Sequence, residues 1–217
     1  MARNKHPEET VNLILDTAFR LFMEKGYEYT SIQDIIDNLD GLSKGAIYHH
    51  FKSKEDILVA VTDRMTADSN KILADIRDNP DINGKEKLKT IFKTSVSRSV
   101  NNDIFSVAPD FKNNSKLLFS LLHETVHEAA PDYISPIIKQ GISDGSIKTE
   151  YPEQLAELII LVANIWMNPM VFDNTKEEIY CKFMVFRQMM QGFGLDIIDD
   201  EILDRMMELV SIYEKRK

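Results

Sequence analysis

The sequence predicts an all-α protein, with an N-terminal three-helix head containing a helix-turn-helix and a larger C-terminal helical domain. Three observations carry that reading. Apolar residues recur at three- and four-residue spacing along most of the chain, and no stretch shows sustained period-2 alternation. At 217 residues, 43% hydrophobic and 28% charged, the chain can bury a core of its own. Its eight glycines and seven prolines, with no low-complexity run, are too few for long disordered stretches.

The first helix is "ETVNLILDTAFRLFMEKG", where Val11, Leu15, Ala18 and Leu21/Phe22 share a face and Gly26 follows the last turn. In "TSIQ", Thr30 with Gln33 three residues on is the pattern of a capping box, so a short helix begins there and stops near Asp40-Gly41. Ser43 can cap the next short helix, over about 43–50, and Ser53 with Glu55 and Asp56 opens a longer one over about 54–77. Ile35, Ile36, Leu39, Leu42, Ile47 and Phe51 face inward, which is the pattern of a helix-turn-helix. "DNPDING" at 78–84 reads as a linker. Further helices are expected near 84–101, 103–111, 114–129, 131–144, 152–173, 175–193 and 199–215, with Pro131 and Pro152 in first-turn positions and Thr175 with Glu178 as a capping box. The domains expected are 1–55 for the head, with its connecting helix running to about 77, and 56–217 for the rest.

Cys181 is the single cysteine, the N-terminus "MARNKHPEETVNL" lacks an apolar leader, and the longest apolar run, "LIILVANIWM", is too short to span a bilayer. A cytoplasmic protein with no membrane partner is expected. No cofactor is expected either.

The formal net charge is −9. Residues 1–60 hold seven Lys/Arg against ten Asp/Glu, so the head is acidic in bulk. Yet from Ser43 to Lys54 there are three lysines, two histidines, a tyrosine and no acid. In a helix-turn-helix the second short helix enters the major groove and presents its N-terminal residues to base edges. Ser43, Lys44, Gly45 and Ala46 occupy that end. Lys44 can meet guanine O6/N7 or a phosphate, and Gly45 and Ala46 let the backbone approach the bases. Tyr48, His49 and His50 follow one turn later as phosphate donors, with the Tyr48 ring held on the protein. Lys54 flanks them, and Thr30, Ser31 and Gln33 lie at the start of the supporting helix, where free N–H groups favour phosphate. Arg3 and Lys5 can add a basic arm. Affinity for DNA rests on counter-ion release at a few phosphates, which a small acid-free patch supplies while the acidic remainder opposes non-specific binding.

The stretch "YEYTSIQDIIDNLDGLSKGAIYHHFKSKEDIL" resembles the DNA-binding region of the tetracycline-repressor (TetR) family of bacterial transcriptional regulators. The matching residues are Gly26-Tyr27, Thr30-Ser31, Ile35, Gly41-Leu42-Ser43-Lys44-Gly45, Tyr48, His50-Phe51, Lys54-Glu55 and Leu58, within residues 8–65. The segment between the two short helices is one residue longer than is usual there. The resemblance implies a homodimer on a palindromic, double-stranded DNA operator, a small-molecule effector bound in the C-terminal domain, and release of DNA when the effector spreads the two heads. It implies a regulator, most often a repressor, and no enzyme.

In the C-terminal domain, Leu155, Ile159, Val162, Trp166 and Met170 form one apolar stripe, and Ile179, Phe183, Phe186, Met190 and Phe193 another. Each suits a core helix and is compatible with a four-helix dimer bundle. Ten Met and eleven Phe suit an adaptable apolar pocket, whose expected lining is Phe119, His123, His127, Asn164, Trp166 and Met167. Asn164 and Asn168 can serve a ligand or cap a bend near Pro169. Residues 123–127, "HETVH", also fit the H-E-x-x-H pattern of zinc hydrolases, with His123 and His127 as ligands and Glu124 as base. This is the enzyme alternative. It lacks an evident third ligand, and a five-residue pattern with two free positions arises readily by chance.

Overall fold

The structure is a computed structural model and describes residues 7–39, 42, 44–107, 111 and 115–215. Among these residues there is no strand. The head comprises α1 (Pro7–Lys25), α2 (Ile32–Asp37) and α3 (Lys44–His50), and α4 (Lys54–Asp78) leads out of it. The second domain holds α5 (Gly84–Ser97), α6 (Val100–Val107), α7 (Ser115–Glu124), α8 (Ser135–Asp144), α9 (Pro152–Leu161), α10 (Lys176–Gly192) and α11 (Asp200–Lys215). Two π-helical segments, Thr125–Ile134 and Val162–Trp166, extend α7 into α8 and lengthen α9.

Among the described residues the buried apolar side chains form two large cores and a small third cluster of Met170 with Tyr213. Ile14, Ala18, Phe22, Ile35, Ile47 and Ile57 are fully buried in the head, joined there by Leu117 of α7. The second core gathers Leu88, Ile137, Ile138, Ile159, Phe186, Met190 and Val210. Helix α4 contributes Ile57, Leu58 and Val61 to the first and Leu73 and Ile76 to the second.

Several local expectations hold and others are corrected. Gly26 ends α1 at φ +85°, and its N–H donates to the Phe22 carbonyl at 2.9 Å. The cap of α2 is Ser31 with Asp34, not Thr30 with Gln33. Thr30 is 1% exposed and its hydroxyl donates to the carbonyls of Gly26 and Leu21 instead. Ser53 caps α4, and Thr175 with Glu178 caps α10.

The helix expected over 84–101 breaks at Arg98, whose backbone is extended. Arg205 of α11 stabilises that corner, donating to the Val96 carbonyl at 3.1 Å and to Asn102 Oδ1 at 2.7 Å. Pro131 does not start a helix; it lies inside the first π-helical segment. A proline in an α-helix interior loses its hydrogen bond and clashes with the carbonyl four residues back, whereas a wider π turn relaxes that clash. The helix expected over 152–173 ends at Trp166. Asn168 precedes Pro169 and is biased away from helical backbone. Its side chain donates to the Asn164 carbonyl at 3.0 Å and accepts from Met170 N–H at 2.9 Å, so it shapes the bend.

Helices α5 and α8 touch through glycine. A Cβ on Gly84 would lie 2.4 Å from the Gly141 Cα, closer than any two such atoms can sit. Asn83 with Glu86 caps α5, and Asp144 accepts from Gly84 N–H at 2.9 Å beside that cap. One turn on, Lys87 is 2% exposed, and its ammonium donates to the Arg77 carbonyl at 2.6 Å and to Gln140 Oε1. Gly84→Ala is therefore expected to cost about 1–3 kcal/mol through overpacking, seen as a lower urea midpoint at unchanged slope. Gly192→Ala, in the last turn of α10 where a Cβ meets nothing within 4 Å, is the control that should cost no stability.

Candidate nucleic-acid interface

Helix α3 has two unlike faces because its apolar residues stand three and four apart. Ile47 is fully buried against α1 and α2 residues, and Phe51 closes the same core just beyond the helix end. The opposite face carries Lys44, Gly45, Tyr48 and His49, all exposed, with Ala46 and His50 half-buried beside them. Lys44 and Tyr48 are one turn apart, and the Lys44 ammonium stands 5.8 Å from the Tyr48 ring centroid. Tyr48 is 44% exposed as a residue, with Lys44 over its ring. His49 and His50 follow edge to face at 5.2 Å. The expected Ser43, Arg3 and Lys5 contributions lie outside the described residues, as does the Gly41 turn.

At the start of α2, Ser31 and Gln33 are exposed, as a phosphate contact requires. Both are already held locally. The Ser31 hydroxyl and backbone N–H bond to the Asp34 carboxylate, and Gln33 Nε2 donates to Asp37 Oδ1 at 2.7 Å. Asp34 thereby takes the positive end of the helix dipole. Hydrogen bonds from the Ser31 hydroxyl and N–H, and then from Lys25 at 3.1 Å, hold its carboxyl well below the usual carboxylate range.

Lys54 points inward. Its ammonium donates to the Tyr27 carbonyl at 2.9 Å and stands 4.1 Å from the Tyr27 ring centroid. Nothing in the spacing of the acid-free run marked this residue as different from Lys44 or Lys52. The available signal was its place in the first turn of a helix, where the dipole disfavours a cation.

The residues expected to line a ligand pocket fall into two groups. Phe119 is 68% exposed on α7, and His123 and His127 continue along the same exposed side, with ring centroids 6.2 and 4.6 Å apart in sequence. Asn164 and Trp166 are half-buried in the second π-helical segment, and Met167 is buried at its end. Trp166 turns towards α10, where Lys182 donates to its carbonyl at 2.8 Å and stands 5.3 Å from its ring.

His123 and His127 do share a helix face, but among the described residues no group of three His, Cys, Asp or Glu is placed to hold a metal ion. What sequence reasoning missed is that the motif's one acid, Glu124, and the following Glu128 face Asp63 of α4. Desolvation by neighbouring side chains, then repulsion from Glu128 and Asp63, raises the Glu124 carboxyl, and desolvation with Glu128 raises Asp63, although both residues keep an exposed edge. The zinc-hydrolase alternative gains no support.

Residues 14–61 match the family profile described as bacterial regulatory proteins, tetR family, and residues 92–189 match that of the tetracyclin repressor-like C-terminal domain. The uncharacterized HTH-type transcriptional regulator YerO of Bacillus subtilis strain 168 is 28% identical over 198 residues, covering 83% of this chain and 64% of that protein. This chain thus spans about two thirds of YerO, and an alignment with the B. subtilis regulator YuxN spans only 18% of YuxN. The transposon Tn10 TetC protein of Escherichia coli is 28% identical over 210 residues, covering 92% of this chain and all of that one. In fold, a TetR-family transcriptional regulator from Pectobacterium atrosepticum superposes with a TM-score of 0.59 at 22% identity, over 88% of this chain and 97% of that one.

The local chemistry of α2 gives a prediction. Asp34 has a lowered folded pKa, so its contribution to stability is full above the ordinary carboxylate range and is lost as pH falls through it. Asp34→Asn should lower the urea midpoint at pH 7 and matter progressively less below about pH 4. Ser31→Ala should cost about 1 kcal/mol at pH 7, as cap losses do.

Proposed function

The chain belongs to the tetR family of bacterial transcriptional regulators, and on that premise we propose a cytoplasmic homodimer that represses transcription from a palindromic operator until a small-molecule effector releases it. The DNA-binding head is residues 1–55, the connecting helix runs to about 77, and residues 56–217 serve effector binding and dimerisation.

The observation that carries the DNA half is the exposed face of α3. Ile47 and Phe51 fix the helix by its apolar side, so Lys44, Gly45, Ala46, Tyr48, His49 and His50 project as one rigid, acid-free surface. Gly45 and Ala46 leave room for close approach to base edges. Lys44 reaches a base or a phosphate, and Tyr48 braces it by cation–π contact while its hydroxyl faces the backbone. Ser43 belongs to the same proposed surface, and Ser31 and Gln33 to its flank.

Two further observations support the C-terminal half. Helix α10 buries Ile179, Phe183, Phe186 and Met190, yet it leaves Tyr180 and Val185 exposed with Phe172 nearby in sequence. These exposed apolar residues are compatible with cover by a partner subunit. Thr125, in the first π-helical segment, has a fully buried hydroxyl with no hydrogen-bond partner. Buried polar groups are nearly always satisfied, so this one suits the polar group of an effector. Among the described residues no helix is long and apolar enough to cross a membrane.

The test is binding of the purified protein to DNA from upstream of its own gene, titrated in salt. Lys44→Ala should weaken operator binding by about 1–3 kcal/mol if Lys44 reads a base. A uniform loss on all duplexes, with the salt slope reduced by about one, would make it a phosphate contact. Absence of binding by the folded protein to this DNA and to a random-sequence pool would reject the reading.

A further inference from the structure

We infer that Lys54 is a positioning residue that locks the DNA-reading helix to the connecting helix, and that it acts through Tyr27, not through phosphate. The inference rests on the DNA-binding reading above and adds a role that neither the acid-free run nor the family match assigns.

Tyr27 is the hub. It is 3% exposed and sits in the turn between α1 and α2. Its ring meets Phe22 of α1 edge-on at 5.3 Å on one side and the Lys54 ammonium at 4.1 Å on another. Its carbonyl accepts from Thr30 N–H at 3.2 Å and from Lys54 at 2.9 Å. Its hydroxyl donates to Glu55 at 3.2 Å, and burial together with that carboxylate pushes the phenol well above its usual range. One residue therefore ties α1, the turn before α2 and the first turn of α4.

Lys54 stands at the position in α4 where a cation is least welcome, directly after the Ser53 cap. Its inward geometry explains why it is tolerated. The ammonium has an acceptor and an aromatic face in a part-buried site, where such contacts are stronger than in water. An ammonium held this way adds little to counter-ion release. Lys44, by contrast, is exposed and its described contact is to the ring of Tyr48, itself an exposed residue.

The consequence is mechanical. The Lys54–Tyr27 clamp fixes the angle between α4 and the turn from which α2 starts, and α3 packs on that same core through Ile47. Loosening the clamp leaves the charges of the DNA surface intact but lets that surface tilt. Specific binding, which needs register, should suffer more than non-specific binding, which needs only charge.

Two measurements test this. In the first, Lys54→Met and Lys44→Ala are compared with wild type on operator and on unrelated duplex across a salt series, with Tyr27→Leu and the Lys54→Met/Tyr27→Leu pair completing a double-mutant cycle. The expected result is that Lys54→Met weakens operator binding several-fold, leaves the salt slope and the affinity for unrelated DNA nearly unchanged, and has little further effect once Tyr27 is replaced. A salt slope smaller by about one, an equal loss on both duplexes, the same loss in either Tyr27 background, or no loss would each overturn the proposal. The second measurement does not depend on variants folding. Lysine-selective acetylation of the wild-type protein, read by mass spectrometry with and without DNA, should show Lys54 slow in both states and Lys44 fast until DNA protects it. Lys54 reacting as fast as Lys44 and becoming protected by DNA would contradict the inward placement.

Discussion

Helix α4 belongs to two hydrophobic cores at once, and the rest of the structure is arranged by that constraint. At 25 residues it spans about 37 Å at the usual rise per residue. Ile57, Leu58 and Val61 anchor one end in the head, while Leu73 and Ile76 anchor the other in the second domain. Each end is also fastened by a lysine to a backbone carbonyl, Lys54 to that of Tyr27 and Lys87 to that of Arg77. The Arg77 guanidinium continues the second fastening to the Asp132 carbonyl at 2.9 Å, in the first π-helical segment. Leu117 of α7 adds a direct tie to the head core. Helix α4 is thus fastened at both ends, in packed cores of the kind that shift between discrete arrangements and do not deform continuously.

The charge distribution fits the same division. The protein is acidic, with a formal net charge of −9, and its head is acidic in bulk. Among the described head cations, Arg20 pairs with Glu24, Lys25 with Asp34, and Lys54 bonds to Tyr27; just beyond the head, Arg64 of α4 pairs with Asp16. The positive surface that α3 offers is therefore small and set by a few residues. On the proposed reading, such an arrangement would attract arbitrary DNA weakly and make binding depend on geometry at α3.

Much of this was legible in the sequence, for identifiable reasons. The helical class, α1 to α4, the buried Ile35, Ile47 and Phe51, and the Ser53 and Thr175 caps follow from local periodicity and capping chemistry, which need no tertiary information. The failures arose where distant residues decide. The α5–α6 corner depends on Arg205, more than a hundred residues away in the chain. Pro131 looks like a helix start until a π-helical turn accommodates it. Thr30 and Ser31 are equally good caps by composition, and only the buried carbonyls of Gly26 and Leu21 assign Thr30 elsewhere. At the candidate site, the outward face of α3 was readable as an acid-free run. The inward turn of Lys54 was not, since Tyr27 lies 27 positions earlier and charge alone does not distinguish one lysine from another. The pocket residues were chosen by composition, and composition does not place side chains, so Phe119 and the two histidines lie exposed.

The most direct test of the central claim is amide hydrogen exchange of the intact protein, with and without a duplex selected from a random-sequence pool. The account predicts that DNA slows exchange in the segment from the start of α2 through α3 into the first turn of α4, and leaves the outer faces of α7, α9 and α10 unchanged. Protection centred on those C-terminal helices, with α3 unaffected in the bound state, would contradict it.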